Sequence, residues 1–298
     1  MVSVIIPTLN AEGHIPSLLY SLKNQSIPCE IIVIDSSSSD SSVKIAESYG
    51  AKTIIIKRHE FDHGGTRRLA ATHAVGDIIV FFTQDALPED KYVLENLIKP
   101  LQDPKIAASY GRQIPKADAK PLEKFARLFN YPEIPLVKGR DDIPVLGIKT
   151  FFFSNVCSAI RKKEFEKLGG FTEKLIMNED MLFAFRLILE GFKIAYVPEA
   201  RVIHSHDYSL REQFSRYFDI GVFLKKNLYQ FIQLKTDSTG AAFLKEGIRY
   251  FSGNKAYRCL TYLIWESVFK YIGYKLGLHY ALLPNIVRKK VSMHSNYW

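Results

Sequence analysis

A single carboxylate, Asp85, follows the apolar segment DIIVFF and is preceded directly by Thr83 and Gln84. No basic residue stands beside it, so a local ion pair does not explain it. Two interpretations are open: the side chain caps the end of a buried strand, or it binds a divalent cation that faces a phosphate. Mg²⁺ and Mn²⁺ prefer oxygen ligands and are usually held by one or two carboxylates together with substrate phosphates, so an isolated aspartate is sufficient.

Two other regions carry residues suited to chemistry. Glu179 and Asp180 lie near the start of a predicted helix, NEDMLFAFRLILEGF. A carboxylate there can act as a general base or stabilise the helix dipole, and by position alone the two are equal candidates. His204 and His206 come at the end of the last predicted strand segment, KIAYVPEARVIHSHDYS. Either imidazole suits Mn²⁺ better than Mg²⁺, although a histidine here can also be satisfied by backbone partners.

Strand and helix signals alternate through the first hundred residues. Apolar runs predict strands in VSVIIP, EIIVID, AKTIIIK and DIIVFFTQD, and helices are predicted in IPSLLYSLKNQ, in SSSSDSSVKIAESYG and in GTRRLAATHAVG. Continuous apolar strands separated by helices indicate an α/β fold whose parallel sheet is covered on both faces. Ligands bind beyond the carboxyl ends of such strands, where we expect Pro7, Thr8, Asp35 and Asp85 to lie.

The pattern changes after residue 112. Five prolines interrupt residues 113–150 around a short helical piece, LEKFARLF, and the segment either closes over a substrate or is plain irregular structure. A strand is predicted in KTFFFSNVCSAI and a helix from KKEFEKLGGF, followed by the helix and strand named above. From about Leu210 onward the chain is predicted to be helical and rich in aromatic residues.

Bulk composition narrows the class of protein. With 298 residues and 47% hydrophobic residues, the chain can bury a core of globular size. Three widely spaced cysteines argue against a disulfide framework or a thiolate zinc site and fit a reducing cytoplasm. We find no signal peptide and no uncharged apolar run approaching the roughly 20 residues needed to span a bilayer. A cytoplasmic location is therefore expected, with peripheral contact to a membrane left open.

The charge is concentrated at one end. Residues 1–210 carry 26 basic and 26 acidic residues, whereas residues 211–298 carry 14 and 5. A basic region of this kind indicates an anionic partner, either a membrane or a nucleic acid, unless it is merely a soluble surface. No nucleic-acid motif is present, and the aromatic residues look buried in a helix rather than exposed as a stacking platform, so we expect no nucleic acid.

The segment LTYLIWESVFKYIGYKLGLHYALL predicts a helix with a narrow polar stripe and a broad apolar face. With VRKKV just after it, the helix resembles one that adsorbs on anionic lipid. Packing against the rest of the chain or against another subunit is the alternative.

Taken together, these pieces resemble a known family. SVIIPTLNAE, IIVIDSSSSD, GGTRRLAATHAVGDIIVFFTQD and GGFTEKLIMNEDMLFAFRLILEGFKIAYVPEARVIHSH occur in the order typical of a family 2 inverting glycosyltransferase. FDHGGTRR and TQDA are similar to the bacterial rhamnosyltransferase branch, whose donor is dTDP-L-rhamnose. The resemblance implies a GT-A fold: a mostly parallel central sheet flanked by helices. It divides the chain into a catalytic domain (1–210, with a donor half to about 112 and an acceptor half from 113) and a helical basic region (211–298).

The resemblance also assigns roles to individual residues. Asp180 is the general base, Asp85 and His204 bind Mg²⁺ or Mn²⁺, and Asp35 contacts the pyrimidine. Two departures stand out: Thr83 replaces the first Asp of the usual Asp-x-Asp, and Arg68 replaces the usual Asn after the diphosphate-facing arginine. The full donor-binding set implied by the family comprises Pro7, Thr8, Asn10, Glu12, Asp35, Arg67, Gln84 and Asp85.

The function expected from this resemblance is transfer of L-rhamnose onto a saccharide or polyprenyl-linked saccharide during synthesis of a cell-surface polysaccharide such as O-antigen. A UDP-sugar donor is the nearest alternative. A sugar nucleotidyltransferase would normally carry a Gly-rich basic loop after the first strand, and PTLNAEGHIP is not one. A non-enzymatic membrane-binding or nucleic-acid-binding protein is the third alternative. The acceptor, the linkage position and the oligomeric state stay open.

Overall fold

The computed structural model describes residues 1–228 and 236–298; residues 229–235 of the predicted helical region lie outside this description. The described strands are β1 (Val2–Thr8), β2 (Cys29–Asp35), β3 (Lys52–Ile55), β4 (Ile78–Phe82), β5 (Leu87–Pro88), β6 (Ile106–Ile114), β7 (Leu136–Lys138), β8 (Cys157–Arg161) and β9 (Lys193–Ile203). The described helices are α1 (Ile15–Lys23), α2 (Ser42–Ser48), α3 (His63–Thr72), α4 (Val93–Ile98), α5 (Pro121–Asn130), α6 (Ile143–Leu146), α7 (Lys162–Lys167), α8 (Glu179–Leu189), α9 (Leu210–Asn227), α10 (Thr236–Gly253), α11 (Tyr257–Leu278) and α12 (Asn285–Val291).

The strands form one sheet in the order β3-β2-β1-β4-β8-β6-β9-β5, with β7 paired to β9. β1 runs parallel to β2 and β4, β2 to β3, and β6 to β9. The remaining pairings are antiparallel, but most paired residues lie in the parallel ladders. The register places Thr8 opposite Asp35. The carboxyl ends of β1, β2 and β4 therefore meet at one edge of the sheet.

Alternate residues of the central strands pack into two separate cores. Val4 and Val80 belong to the core on one face, and Ile5 and Phe81 belong to the core on the other. Apolar residues of α1 and α4 cover the first face, and those of α3 and α8 cover the second. Because side chains alternate across a strand, a strand covered on both faces must be apolar throughout. This explains the uninterrupted apolar runs in the sequence.

The strand predicted over residues 149–160 was wrong for residues 149–156. Regular strand begins only at Cys157 in β8, and Gly147–Phe151 forms a 3-10 turn. Phe151 and Phe153 are nevertheless buried. Their apolar character therefore reflects anchoring of a loop in the core rather than strand pairing. In the proline-rich segment 113–150, helix α5 contains the predicted helical piece LEKFARLF, and β7 and α6 are regular elements that were not predicted.

The C-terminal helix α11 packs along α9 at backbone distance. A Cβ added at Gly277 or Gly273 of α11 would overlap carbonyl oxygens of α9, and one added at Gly221 of α9 would overlap a carbonyl oxygen of α11. Residues of the C-terminal helices also join the core formed by α9 with residues 175–185. One side of α11 therefore packs against the rest of the chain, which was the alternative to adsorption on lipid.

The other side of α11 is apolar and exposed. The polar residues Glu266 and Lys270 of α11 lie on the opposite, inward side, where they form an ion pair with side chains only 6% and 14% exposed. The outward stripe has helical spacing and consists of Tyr257, Ile264, Trp265, Val268, Tyr271 and Ile272. Nothing among the described helices has the length and apolar character required to span a membrane.

Replacing Gly277 with alanine should destabilise the protein by about 1–3 kcal/mol, because the added methyl group meets rigid backbone of α9. Urea unfolding followed by circular dichroism measures this loss. Gly240→Ala in α10 is the matched control: apart from the adjacent residues and backbone of its own helix, no described atom lies within 4 Å of its added Cβ, so helix propensity should stabilise the protein by up to about 1 kcal/mol. Equal effects of the two substitutions would contradict the close approach of α9 and α11.

Candidate active site

A cavity of about 1440 Å³ lies beside the residues that follow β4. Pockets for one drug-sized ligand usually measure about 300–1,000 Å³, so this cavity has room for more than one small ligand. Five of the predicted site residues line it: Arg67, Gln84, Asp85, Asp180 and His204. The lining does not include Pro7, Thr8, Asn10, Glu12 or Asp35.

Asp85 and both candidate histidines converge. The carboxylate oxygen Oδ2 of Asp85 lies 3.4 Å from Nε2 of His204 and 3.4 Å from Nε2 of His206. All three candidate ligand atoms lie within 4.8 Å of one another. The short strand β5 pairs Leu87 with Ile203 of β9, and this register brings the ends of β4 and β9 together. The sequence left the choice between the histidines open, and the structure brings both to Asp85.

The tautomer of His204 follows from a buried partner, Gln113. The guanidinium of Arg127, which can only donate hydrogen bonds, donates to Oε1 of Gln113. The same oxygen lies 2.9 Å from Nδ1 of His204, so Nδ1 must carry the hydrogen. In the neutral ring the lone pair is then on Nε2, the atom that faces Asp85.

A carboxylate and an imidazole lone pair repel each other, so this arrangement requires a positive charge between them. A proton on His204 or a divalent cation would supply it. Burial and the charge of His204 lower the pKa of His206 to about 4, so this ring is neutral near pH 7. Burial opposes ionisation of Asp85, but the hydrogen bond and positive charge of a protonated His204 help to hold its pKa below the usual value.

One ionised carboxylate with two imidazoles is a donor set that fits a divalent cation. Imidazole nitrogen suits Mn²⁺, and the single carboxylate leaves coordination positions for phosphate oxygens. The hydrogen bond that the far nitrogen of His204, Nδ1, donates to Oε1 of Gln113 is the supporting contact that metal-binding histidines usually have. The chemistry of the residues thus supports the predicted cation, with His206 added to the predicted ligands.

The first turn of α8 places two carboxylates on the cavity wall. Asn178 precedes the helix in the left-handed conformation, which asparagine tolerates better than most residues. The backbone N–H of Asn155 donates to Oδ2 of Asp180 at 3.1 Å, and its side-chain amide donates to Oε1 of Glu179 at 3.1 Å. Asn155 therefore fixes both carboxylates, although they point to different partners.

Burial and neighbouring charges shift the pKa values of the two carboxylates in opposite directions. Desolvation and the neighbouring charge of Glu179 raise the pKa of Asp180. Glu179 is buried, but the Arg67 guanidinium, 3.2 Å away, and His63 help to lower its pKa. Two adjacent carboxyl groups with oppositely shifted pKa values are typical of sites that perform acid–base chemistry. Asp180 is the one suited to accept a proton.

The chain matches Glycosyl transferase family 2 over residues 3–169. It is 42% identical over its full length to O-antigen chain rhamnosyltransferase RfbN of Salmonella typhimurium (strain LT2), covering 96% of that protein. It is 41% identical to O-antigen chain rhamnosyltransferase WbaN of Salmonella anatum, over 99% of this chain and 95% of the relative. This chain belongs to glycosyl transferase family 2. The family predicted from the sequence motifs is thereby confirmed.

A solved structure shows the fold of this glycosyltransferase. The mannosyltransferase PcManGT from Pyrobaculum calidifontis, in complex with GDP-Man and Mn²⁺, superposes with a TM-score of 0.62 over 93% of this chain and 86% of the other, at 18% identity. The predicted GT-A fold is confirmed: a mostly parallel sheet flanked by helices, followed by a helical C-terminal region.

The Arg67 side chain of the glycosyltransferase is more buried than an arginine that binds phosphate on an open surface would be. Its side chain is 7% exposed, pairs with Glu179 and donates to the carbonyl oxygen of His63 at 2.9 Å. Its Nε atom is buried and has no hydrogen-bond partner among the described residues. The Nε–H donor of this guanidinium is therefore not used by the described residues, and the role of Arg67 toward a diphosphate stays a prediction.

The predicted base and ribose contacts hold two loops together. The backbone N–H groups of Asn10 and Glu12 donate to side chains of the serine-rich turn, and their own side chains accept from its backbone. Asp35, fully buried, accepts two hydrogen bonds from Ser38. The Thr8 hydroxyl is directed at backbone carbonyls, and Gln84 exchanges two hydrogen bonds with the backbone of Leu9. These contacts shape the edge of the sheet, and nucleotide contacts by the same residues stay a prediction.

Sequence reasoning missed three supporting residues: Gln113, Arg127 and Asn155. Gln113 gave little local signal, since it follows Arg112 near the end of β6, and only the structure shows that its side chain is buried, at 2% exposure. Asn155 lies in SNV within the stretch predicted as a strand, so its side chain was not considered. Arg127 accompanies Glu123 one helical turn earlier, a pairing that looks like an ordinary surface ion pair in the sequence.

Asp85→Asn should weaken Mn²⁺ binding by about 10–100-fold, the loss typical even for removal of a supporting group at a metal site. Calorimetric titration of the full-length protein with Mn²⁺ measures it. Asp90→Asn is the control, because its carboxylate lies just beyond β5 and contacts Arg201 instead of the histidines. An unchanged Mn²⁺ affinity for Asp85→Asn would remove Asp85 from the metal site.

Proposed function

We propose that this glycosyltransferase transfers L-rhamnose from dTDP-L-rhamnose, with inversion, onto a saccharide acceptor in the synthesis of a cell-surface polysaccharide such as O-antigen. The observation that carries the proposal is the presence in one cavity of a cation-binding set, Asp85 with His204 and His206, and of a carboxylate with a raised pKa, Asp180. The full-length similarity to two O-antigen rhamnosyltransferases supports the donor sugar.

Donor binding in this proposal depends on opposite charges. Asp85, His204 and His206 would hold Mg²⁺ or Mn²⁺, and the cation would neutralise charge on the departing diphosphate. Arg67 lies on the same cavity wall, where its remaining donor can strengthen a phosphate contact. Asp35 and Thr8, at the ends of adjacent strands, are proposed to place the pyrimidine and ribose.

Asp180 is proposed to act as the general base. In an inverting transfer, the acceptor hydroxyl attacks the anomeric carbon while a base removes its proton, and no covalent enzyme intermediate forms. The hydrogen bonds from the backbone N–H groups of Asn155 and Met181 hold the Asp180 carboxylate in place. Its raised pKa gives it greater affinity for that proton than an exposed aspartate has.

Asp180→Asn should reduce transfer from dTDP-L-rhamnose by about 100-fold or more, because the base is deleted with little change in volume. Donor affinity, measured by calorimetry, should be nearly unchanged. For the wild type, kcat/KM should fall as pH decreases through the raised pKa of Asp180, at a higher pH than for an ordinary aspartate, since only the deprotonated form accepts the proton.

The exposed carboxylate of Glu173 provides the matched control, and Glu173→Gln should keep normal turnover. Near-normal turnover by Asp180→Asn would exclude it as the base and make Glu179 the next candidate. The donor is tested by comparing nucleotide release and thermal stabilisation with dTDP-L-rhamnose, UDP-sugars and GDP-sugars. Greater release from a UDP-sugar would favour the alternative donor.

A polyprenyl-linked saccharide on the cytoplasmic leaflet is the proposed acceptor, and the outward stripe of α11 is proposed to rest on the membrane there. Leu282 and Ile286, each 82% exposed, extend the apolar surface of the C-terminal region. Lys289 and Lys290 follow on α12 and are exposed. Apolar side chains combined with basic residues are the pattern that adsorbs on anionic lipid.

The double variant Leu282→Glu with Ile286→Glu should lower binding to phosphatidylserine-containing liposomes by about tenfold or more, because two exposed apolar side chains no longer enter the interface. Cosedimentation at increasing salt measures it. The control pair, Ile55→Glu with Val75→Glu, places the same charges on exposed apolar positions of the catalytic domain and should bind like wild type. Equal liposome binding by the two double variants would contradict the proposal. A wild-type protein that dimerises through this surface and does not bind liposomes would also contradict it.

A further inference from the structure

The segment Ser292–Trp298, which follows α12, is attached to α9 by a buried carboxylate. Asp219 of α9 has no exposed surface, and its Oδ2 accepts hydrogen bonds from the backbone N–H groups of Met293, at 2.9 Å, and His294, at 3.2 Å. Farther along, the hydroxyl of Tyr297 accepts a 2.7 Å hydrogen bond from Lys226 of the same helix. These contacts fix where the His294 side chain can lie.

Its fixed position brings His294 into the active-site cavity. Met293 and His294 both line the cavity that contains Asp180 and Asp85. The His294 ring packs edge to face on that of His63, with ring centroids 5.4 Å apart. His63 begins α3, one turn before Arg67, whose guanidinium it binds through its carbonyl oxygen. A residue from the last few positions of the chain therefore stands beside the buried Arg67–Glu179 pair.

The His294 side chain has hydrogen-bonding capacity that the described part of the chain leaves unused. No described residue hydrogen-bonds with either of its ring nitrogens; the contacts made by His294 are through its backbone N–H and its ring face. Burial and the charge of His63 lower the pKa of His294 to about 4, so the ring is neutral near pH 7. A neutral imidazole offers one donor and one acceptor, which matches a hydroxyl group better than a phosphate.

We propose that His294 is a substrate-binding residue, which hydrogen-bonds a hydroxyl group of the pyranose seated beside the Arg67–Glu179 pair. The C-terminal segment is then part of the sugar site and not only part of the packing against α9. This inference rests on the proposed glycosyl transfer. The pyranose belongs either to the nucleotide-sugar donor or to the saccharide acceptor, and the kinetic experiment distinguishes the two sources.

His294→Ala should raise the KM for the donor or for the acceptor, or lower kcat, by about tenfold. This is the effect of losing a single hydrogen bond of about 1.4 kcal/mol. Two reactions of the full-length protein are compared. The first is hydrolysis of dTDP-L-rhamnose, in which water accepts the rhamnose and dTDP is released. The second is rhamnose transfer onto polyprenyl-linked saccharides extracted from host membranes. A change in the first reaction assigns the contact to the donor sugar. A change confined to the second assigns it to the acceptor.

Two further variants separate binding from folding. His294→Gln keeps a donor and an acceptor and should recover part of the lost activity, whereas His279→Ala removes an exposed histidine of the same region and should behave like wild type. Unchanged kinetics in both reactions for His294→Ala, whether or not its melting temperature falls, would overturn the proposal. Wild-type protein inactive with dTDP-L-rhamnose would instead count against the proposed donor. The comparison is then made with the nucleotide-sugar that gives the greatest thermal stabilisation.

Discussion

The convergence of one carboxylate oxygen and two imidazole nitrogens at Asp85 is the constraint on which the site depends. Because Gln113 fixes the hydrogen of His204 on Nδ1, the lone pair of the other nitrogen faces a negative charge. Without a positive charge this contact is repulsive, so the neighbouring elements must hold it in place. Helix α5 does so through Arg127, and the pairing of β5 with β9 keeps the two strand ends together.

The second constraint is the adjacency of Glu179 and Asp180. Two carboxyl groups on consecutive residues repel when both are ionised, and burial increases the repulsion because little water screens it. Arg67 pairs with Glu179 and favours its ionised form, whereas the pKa of Asp180 is raised. Desolvation, followed by the charge of Glu179 that Arg67 helps to keep ionised, raises the pKa of Asp180 and so increases its affinity for a proton.

Much of the site could be recognised from residue patterns, because strand ends and helix starts are local features. Asp85 and Asp180 were predicted in this way, with family resemblance favouring Asp180 over Glu179, and the structure places both on the wall of one cavity. Gln113 was missed, since its role arises from Arg127 and His204, which are distant from each other in the chain. The strand predicted through Phe151 and Phe153 was wrong because burial in a loop produces the same apolar run as burial in a strand.

Side-chain periodicity over a few residues is enough to predict the α/β class and the positions of the central strands, and the charged and imidazole groups can be counted in the sequence. Which of these groups meet depends on the packing of distant segments: both histidines contact Asp85, Arg67 pairs with Glu179, and His294 packs on His63. It also turned the apolar stripe of α11 outward, because glycines and a buried ion pair occupy the side against α9. Such pairings join residues far apart in the chain, and their geometry depends on how the helices and the sheet pack.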